Sequence, residues 1–205
     1  MNALHFGACL ADDMGLGKTI QVLAFLARLR KHSAQARVLL IVPASLLGNW
    51  QGECERFVPD MPYVRLHGGG AKALGEFVAG DHTFLTITTY GMASRIAQLA
   101  QIEWDCLILD EAQAIKNPLS KQTKQIKKLQ ARMRIAMTGT PIENDLGNLW
   151  SLFDFLNKGV LGSFGEFREF CRDLGAHPEG YGRLKAMIAP FMLRRTKDDK
   201  RIIRD

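Results

Sequence analysis

Short apolar runs without polar alternation recur along the chain, and each is rich in valine, isoleucine or leucine. They cover residues 37–42, 63–66, 83–88, 105–110 and 134–137, and residues 8–11 form the end of another. Strands that are apolar on both faces are typical of a parallel sheet covered by helices on each side. The runs therefore predict buried strands.

Helix-like stretches lie between these runs. They cover residues 19–31, 45–57, 71–79, 91–101 and 119–132. Strands that alternate with helices indicate a doubly wound α/β domain with a mainly parallel sheet and helices on both faces. After Pro141 the pattern changes, because residues 145–157 and 163–172 carry aromatic and aliphatic side chains at helical spacing. We expect these residues to form a helical protrusion, with one further candidate strand at residues 191–193.

Composition sets the broad class of protein. The 205 residues are 47% hydrophobic and 23% charged, which is enough apolar material for a sizeable core. The net charge of +6 is compatible with a polyanionic partner but does not require one. The four cysteines lie far apart and predict reduced, buried thiols rather than a zinc site. No run approaches the ~18 apolar residues of a membrane span, so we expect an intracellular protein with no membrane partner.

A glycine-rich turn joins a predicted strand to the helix that follows it, in the sequence ADDMGLGKT at residues 11–19. Gly15 and Gly17 allow close backbone approach, and the N–H groups of a helix start can converge on a phosphate. Lys18 supplies a positive charge for the β- and γ-phosphates, and Thr19 supplies a hydroxyl for Mg²⁺. The general pattern GxxxxGK[ST] has glycine where this chain has Asp12.

A second motif, LILDEAQ at residues 107–113, ends an apolar strand with two adjacent carboxylates. Ligands of parallel sheets bind at the carboxyl edge of the strands. Asp110 can hold Mg²⁺, directly or through water, and Glu111 can orient and deprotonate an attacking water. Acidic pairs are also common at helix starts for other reasons. Together with the Lys-Thr turn in one α/β domain, the pair predicts binding of a nucleoside triphosphate.

Motifs along nearly the whole chain resemble those of one family. In order they are LADDMGLGKTIQ, LLIVPASLLGNWQGE, TTYGM, LILDEAQAIKN, MTGTPIEN and FMLRRTKDD. Together they resemble the first motor lobe of the Swi/Snf-type DNA-translocating ATPases of helicase superfamily two, and aspartate at position 12 is what that family has. The resemblance implies a RecA-like fold, ATP and Mg²⁺ as cofactors, and two partners: the backbone of double-stranded DNA and a second RecA-like lobe.

The resemblance also implies roles for the residues that match the motifs. ATP would be bound by Asp12, Asp13, Met14, Gly15, Leu16, Gly17, Lys18 and Thr19. The magnesium ligands would be Thr19 and Asp110, and the catalytic residues would be Lys18, Glu111 and Gln113, with Gln113 near the γ-phosphate. Coupling between the nucleotide site and the DNA track would run through Thr138, Gly139 and Thr140.

Contacts with the DNA backbone would come from Ser45, Thr88 and Thr89, although a hydroxyl at a helix start serves equally well as a cap. Arg194 and Arg195 belong to the motif LRRTK, where they either position the two lobes or face solvent.

The expected organisation is an ATP-binding lobe over residues 1–144, a helical protrusion over residues 145–190 and a segment over residues 191–205 that leads toward a second lobe. The family's glutamine motif, which recognises adenine, does not occur before the first strand. We therefore expect a fragment that hydrolyses ATP negligibly without the second lobe and its arginines. Its parent would be cytoplasmic and nucleoid-associated if bacterial, or nuclear if eukaryotic. The protein that it moves on DNA is unknown.

Two alternatives to a DNA-dependent motor lobe stay open. One is a catalytically inert module of the same fold that binds nucleotide or a partner. The other is the lobe of an RNA-dependent ATPase.

Overall fold

A seven-stranded sheet forms the centre of the protein. The computed structural model describes residues 6–68, 83–139, 146–174 and 179–198. The strands are β1 (Ala8–Leu10), β2 (Val38–Val42), β3 (Tyr63–Leu66), β4 (Leu85–Thr89), β5 (Trp104–Leu109), β6 (Ala131–Met137) and β7 (Met192–Leu193). They lie in the order β3-β4-β2-β5-β6-β1-β7, and every pairing between the described strands is parallel. The predicted α/β fold is confirmed.

Helices accompany the strands along the described residues. The α-helices are α1 (Lys18–His32), α2 (Leu47–Phe57), α3 (Tyr90–Ala93), α4 (Lys121–Lys127), α5 (Leu146–Leu156), α6 (Phe164–Leu174) and α7 (Glu179–Ile188). Shorter 3-10 turns cover Ala44–Leu46, Ala97–Gln101, Ala112–Ile115 and Ala189–Phe191. None of these described helices is both long enough and apolar enough to cross a lipid bilayer. The predicted helix at residues 71–79 lies outside the described residues.

Two predicted helices are shorter than the sequence pattern suggested. Residues 91–101 form the last residues of α3 and a separate 3-10 turn, because Ile96 is extended and turns inward to be buried between them. Within residues 119–132 only Lys121–Lys127 is helical. The Ser120 side chain caps this helix by accepting from Thr123 N, and the chain enters the sheet at Ala131. Leu119 precedes this cap and is 70% exposed.

Both faces of the sheet are buried, as the unbroken apolar runs predict. All five residues of β2 are buried, and they alternate between two apolar clusters. On one face Leu40 packs in a cluster with Leu26 of α1 and Trp50 of α2. On the other face Leu39 belongs to a cluster with Ile126 of α4 and Phe155 of α5. Helices therefore hold the sheet between two layers.

Helix α5 belongs to two apolar clusters at once. Leu152 and Phe155 pack in the cluster on the sheet, whereas Leu149 and Phe153 pack in a third cluster with residues of α6 and α7. The members of each pair point in similar directions because they are three or four residues apart, and the rotation of about 100° per residue turns one pair roughly a third of a turn from the other. The shared helix joins the helical protrusion to the sheet.

The amide of Asn157, just after α5, extends β1 backwards. Its Oδ1 accepts from Gly7 N at 2.7 Å, and its Nδ2 donates to Gly7 O at 3.0 Å. A Cβ on Gly7 would lie 2.4 Å from the carbonyl oxygen of Leu156, so only glycine fits at this contact.

A matched pair of leucine substitutions tests the sheet core. Leu40 has no exposed surface, whereas Leu119 is mostly exposed. We expect Leu40→Ala to lower the free energy of unfolding by about 2.7–5 kcal/mol, because it removes buried methyl groups and leaves a cavity. Leu119→Ala should change it by less than about 0.5 kcal/mol. Urea denaturation measures both, and equal losses would contradict the described core.

Candidate functional site

The two motifs and the end of β6 meet at one edge of the sheet. Because β2, β5, β6 and β1 are neighbours and parallel, their carboxyl ends lie side by side. The ladder continues one residue past the strands, since Asp110 N donates to Ile41 O at 2.9 Å and Thr138 N donates to Leu10 O at 3.1 Å. The turn after β1, the acidic pair after β5 and the residues after β6 are therefore adjacent.

The turn after β1, residues 11–17, is named the phosphate loop here. Gly15 and Gly17 have φ of 87° and 72°, in the left-handed region that favours glycine. Helix α1 begins directly after Gly17 with no side-chain cap and no acidic residue in its first turn. Its first N–H groups have no partners within the helix, so the helix start is electropositive and suited to an anion.

Lys18 points back into the phosphate loop. Its Nζ donates to the carbonyl oxygens of Asp12 at 2.6 Å and Asp13 at 3.2 Å. An ammonium group has three donors, so these two bonds leave one available for a phosphate oxygen. The loop thus carries a fixed positive charge at the start of α1.

One cavity of about 350 Å³ contains the reactive groups of both motifs. Its lining includes Lys18 and Thr19 of the first motif and Asp110 and Glu111 of the second. The other lining residues are Met14, Gly15, Gly17, Ile20, Leu46, Asn49, Trp50, Glu53 and Met137. Asp12, Asp13 and Leu16, which were also predicted to bind ATP, are not among the residues that line it. The volume falls within the range of small-molecule sites.

Asp110 is held from two sides. Its Oδ2 accepts from the indole Nε1 of Trp50 at 2.7 Å, and its Oδ1 accepts from Glu111 N at 2.9 Å. The hydroxyl of Tyr90 donates to the Asp110 carbonyl oxygen at 2.7 Å. Burial raises the pKa of Asp110, and the bonds from Trp50 and Glu111 oppose this only in part. The carboxylate is therefore fixed in place, and a nearby cation would stabilise its ionised form.

Glu111 has an unusual backbone conformation. Its φ of 48° makes it the only non-glycine residue with positive φ among the described residues. Such a conformation costs on the order of 1–3 kcal/mol and persists where the surroundings impose it. The Glu111 Oε2 accepts from Gln113 Nε2 at 2.6 Å, and the Gln113 Oε1 accepts from Thr138 Oγ1 at 3.1 Å. This chain of bonds connects the end of β5 to the end of β6.

The residues after β6 touch the phosphate loop. Thr138 is 2% exposed, and a Cβ on Gly139 would lie 3.2 Å from Met14 Cγ. Two of the three predicted coupling residues therefore lie between the acidic pair and the loop. Thr140 lies outside the described residues.

The oxygen donors in the cavity fit a magnesium ion. Mg²⁺ is held in nucleotide sites by one or two protein oxygens together with phosphate oxygens and water. Thr19 brings a hydroxyl, and Asp110 brings a carboxylate whose raised pKa a cation would relieve. Both are hard oxygen ligands that line one cavity.

The predicted DNA contacts differ in exposure. Ser45 is exposed in the turn Ala44–Leu46, which has no side-chain cap. Thr88 is fully buried and its hydroxyl donates to Leu66 O at 3.0 Å. Thr89 is 7% exposed and caps α3 by accepting from Met92 N at 3.3 Å. The structure does not bring the side chains of these two threonines to the surface, because both hydroxyls satisfy internal backbone groups.

Two residues of the site escaped the sequence reasoning: Trp50 and Tyr90 hold Asp110 from elements distant in the chain. Arg195 was singled out in the motif LRRTK, but its partner was not predicted: its guanidinium forms an ion pair with buried Asp12. Trp50 and Tyr90 belong to the quoted motifs LLGNWQGE and TTYGM. Their position in those motifs was the available signal, but nothing local identifies the partner of either side chain.

The SNF2-related domain matches residues 2–202. The chain belongs to the SNF2-related domain family. Among solved structures, the SWI2/SNF2 ATPase core of Sulfolobus solfataricus in complex with dsDNA is 42% identical, with a TM-score of 0.88, and the match covers 98% of this chain and 42% of that one. The fold of this family member is therefore that of part of an SNF2 ATPase core.

Curated relatives of this SNF2-related domain are longer proteins. YwqA of Bacillus subtilis (strain 168), provisionally named an ATP-dependent helicase/translocase, is 43% identical over 204 residues, which are 96% of this chain and 22% of that protein. The chromatin-remodeling ATPase INO80 of Drosophila melanogaster is 39% identical over 210 residues, 93% of this chain and 13% of that protein. The chain thus spans less than a quarter of the length of either.

Substituting Trp50 tests how Asp110 is held. The folded-state pKa of Asp110 is raised, so the free energy of unfolding falls as pH rises from the unfolded pKa through the folded one. Trp50→Phe removes a bond that favours the ionised form and raises this pKa further. We expect the free energy of unfolding to fall by about 1–3 kcal/mol near neutral pH. The difference should shrink as pH falls, because Asp110 is then protonated. Chemical denaturation across pH measures it.

Trp104→Phe is the matched control, because the Trp104 Nε1 donates to the carbonyl oxygen of Leu99 at 3.0 Å, and a carbonyl does not titrate in this range. Its loss should be independent of pH. The same pH-independent loss for Trp50→Phe would show that the bond to Asp110 does not control that carboxylate.

Proposed function

We propose that this SNF2-related domain is the first motor lobe of an ATP-dependent translocase of double-stranded DNA. The observation that carries the proposal is the single cavity shared by the uncapped start of α1, Lys18 and the Asp110–Glu111 pair. Binding of MgATP would occur at this lobe, whereas hydrolysis would need a second lobe. The names of the relatives, which include helicases and remodelling ATPases, support the same reaction class.

The phosphate loop and Lys18 would bind the triphosphate. The N–H groups at the start of α1 and the Lys18 ammonium would neutralise the phosphate oxygens, which concentrates positive charge where charge develops during transfer. Thr19 and Asp110 would hold the magnesium ion. That ion supplies charge neutralisation of the β- and γ-phosphate oxygens when it is bound.

Glu111 would act on the attacking water. Its carboxylate lies at the cavity wall, where it would orient the water and accept its proton. Gln113 holds the Glu111 carboxylate and in turn contacts Thr138, so the side chain is oriented before substrate arrives. Through Gln113, these bonds connect Thr138 at the end of β6 to the Glu111 carboxylate. This connection would couple hydrolysis to movement of the segment after β6.

Double-stranded DNA is the proposed track. The solved Sulfolobus relative is described in complex with dsDNA. Ser45 follows β2 at the carboxyl edge and is the exposed one of the three predicted contact residues, so its hydroxyl would contact a phosphate. Backbone contacts carry no sequence information and release counterions. Binding should therefore weaken with salt and be indifferent to base sequence.

Replacing Lys18 tests nucleotide binding by the full-length protein. We expect Lys18→Ala to abolish detectable MgATP binding in titration calorimetry and DNA-stimulated hydrolysis, because it removes the charge that faces the phosphates. Lys31→Ala is the matched control, since Lys31 is exposed in the last turn of the same helix. Equal MgATP affinity for both variants would exclude Lys18 from the site.

Replacing Glu111 separates binding from chemistry. Glu111→Gln should keep MgATP affinity while lowering kcat by about 10²–10⁴-fold, the usual contribution of a general base. Glu103→Gln, at the exposed amino end of β5, should change neither. A Glu111→Gln protein that hydrolyses ATP at the normal rate would remove the assigned role.

The identity of the stimulating polymer decides between the alternatives. Duplex DNA should stimulate hydrolysis by the full-length protein, and duplex or single-stranded RNA should not. Stimulation by RNA would favour an RNA-dependent ATPase, and no stimulated hydrolysis by the unchanged protein would favour an inert binding module.

A further inference from the structure

A cluster of hydrogen bonds joins the phosphate loop to residues 194–198, which follow β7 and are named the return segment here. At the centre is Asp12, the second residue of the phosphate loop, which has no exposed surface. Its Oδ1 accepts from Arg195 N at 2.9 Å and from Arg195 Nε at 3.1 Å. Its Oδ2 accepts from Nε at 3.0 Å and from Nη2 of the same arginine. This is a two-pronged, charge-assisted contact.

Gln21 extends the cluster into helix α1. Its Nε2 donates to Asp12 Oδ2 at 3.2 Å and to Leu16 O at 3.0 Å, and its Oε1 accepts from Arg195 Nη2. The Arg195 guanidinium therefore binds Asp12 in the loop and Gln21 in the helix directly, and it reaches the middle of the loop through Gln21.

Backbone bonds run parallel to this cluster. Ala11 N donates to Leu193 O at 2.7 Å, and Asp13 N donates to Arg195 O at 3.0 Å. The pairing of β1 with β7 thus continues along the first residues of the phosphate loop. The carbonyls of residues 12 and 13, which belong to this fixed stretch, are the ones that accept from Lys18 Nζ. The position of Lys18 consequently depends on contacts made by Arg195.

The charge of Asp12 makes this arrangement conditional on Arg195. A buried carboxylate is costly unless it is paired. Burial acts to raise the pKa of Asp12, but hydrogen bonds from Arg195 and Gln21 outweigh it and hold the pKa below its usual value. Without the guanidinium, Asp12 would either take up a proton or turn toward water, and in both cases the start of the loop would lose the bonds from Arg195 that fix it.

We propose that Arg195 is a positioning residue for nucleotide binding, which holds the phosphate loop and Lys18 in the form that accepts a triphosphate by pinning Asp12 and Gln21. It follows that displacement of the return segment from β1 lowers the affinity for nucleotide. The inference rests on the proposed function, because it requires that the loop bind nucleotide.

Titration calorimetry of the full-length protein with MgADP tests the inference. Arg195→Gln should weaken MgADP binding by about tenfold or more, because it leaves a buried carboxylate without its charge partner. It should also raise KM for ATP by a larger factor than it lowers kcat. Arg194→Gln is the matched control: it removes the same charge from the adjacent, exposed residue and should leave MgADP affinity within about twofold.

A double-mutant cycle identifies the route of the effect. Asp12→Gly removes the buried carboxylate and leaves the Arg195 side chain only its contact with Gln21, so Arg195→Gln added to it should cause a much smaller loss of affinity than it does in the unchanged protein. Arg195→Lys keeps the charge but not the fork and should give an intermediate loss. It also provides a milder variant if Arg195→Gln is unstable. Melting temperatures without nucleotide show that affinities are compared between folded proteins.

Three results would overturn the inference. They are equal MgADP affinity of the Arg195→Gln and Arg194→Gln proteins, additive losses in the cycle, and a lower melting temperature of Arg195→Gln with unchanged affinity. In each case the loss of binding in Lys18→Ala would leave the proposed function standing. Absence of MgADP binding by the unchanged protein would refute both.

Discussion

The parallel hydrogen-bonded ladder through β2, β5, β6 and β1 is the constraint on which the site depends. It aligns Leu109 with Ala136 and Leu10 with Met137, so that the residues following three strands emerge at one edge. The chemistry-bearing groups come from segments about 90 and 120 residues apart in the chain, and the shared strand direction brings them together. A slip of one residue in this register would exchange the side chains that pack on the two covered faces and shift the two motifs relative to each other.

The cavity combines opposite electrostatic environments. Part of its lining consists of a helix start with its backbone N–H groups and an ammonium, all of which favour anions. The lining also includes three carboxylates, those of Glu53, Asp110 and Glu111, of which Asp110 is 7% exposed and fixed by Trp50. A site of this kind is suited to a ligand that is itself an anion bridged to a cation. The carboxylates would repel a bare polyphosphate, so metal and phosphate are expected to bind together.

The strands could be predicted because a short, unbroken apolar run is typical of a strand that is covered on both faces. Strand β2, for example, begins within one residue of its predicted start. Helices were harder: Ser120 and Ile96 interrupt the patterns at residues 119–132 and 91–101 by local capping and burial. The cavity-lining Lys18, Thr19, Asp110 and Glu111 follow from motif spacing. The partners of Asp12 and Asp110, which are Arg195 and Trp50, could not be predicted from the motifs. These contacts span 183 and 60 residues of the chain and depend on tertiary packing.

Strand β1 has consequences for how the chain acquires its structure. Its neighbours in the sheet are β6 and β7, whose paired residues lie more than a hundred positions later. The backbone of Gly7, just before the strand, bonds to the equally distant amide of Asn157. Contacts between such distant residues form slowly, because a long loop must close before they contribute stability. The inner strands β2, β4 and β5 have closer partners. Strand β1 is therefore expected to join the sheet late during synthesis, and the phosphate loop that follows it is expected to reach its final conformation last.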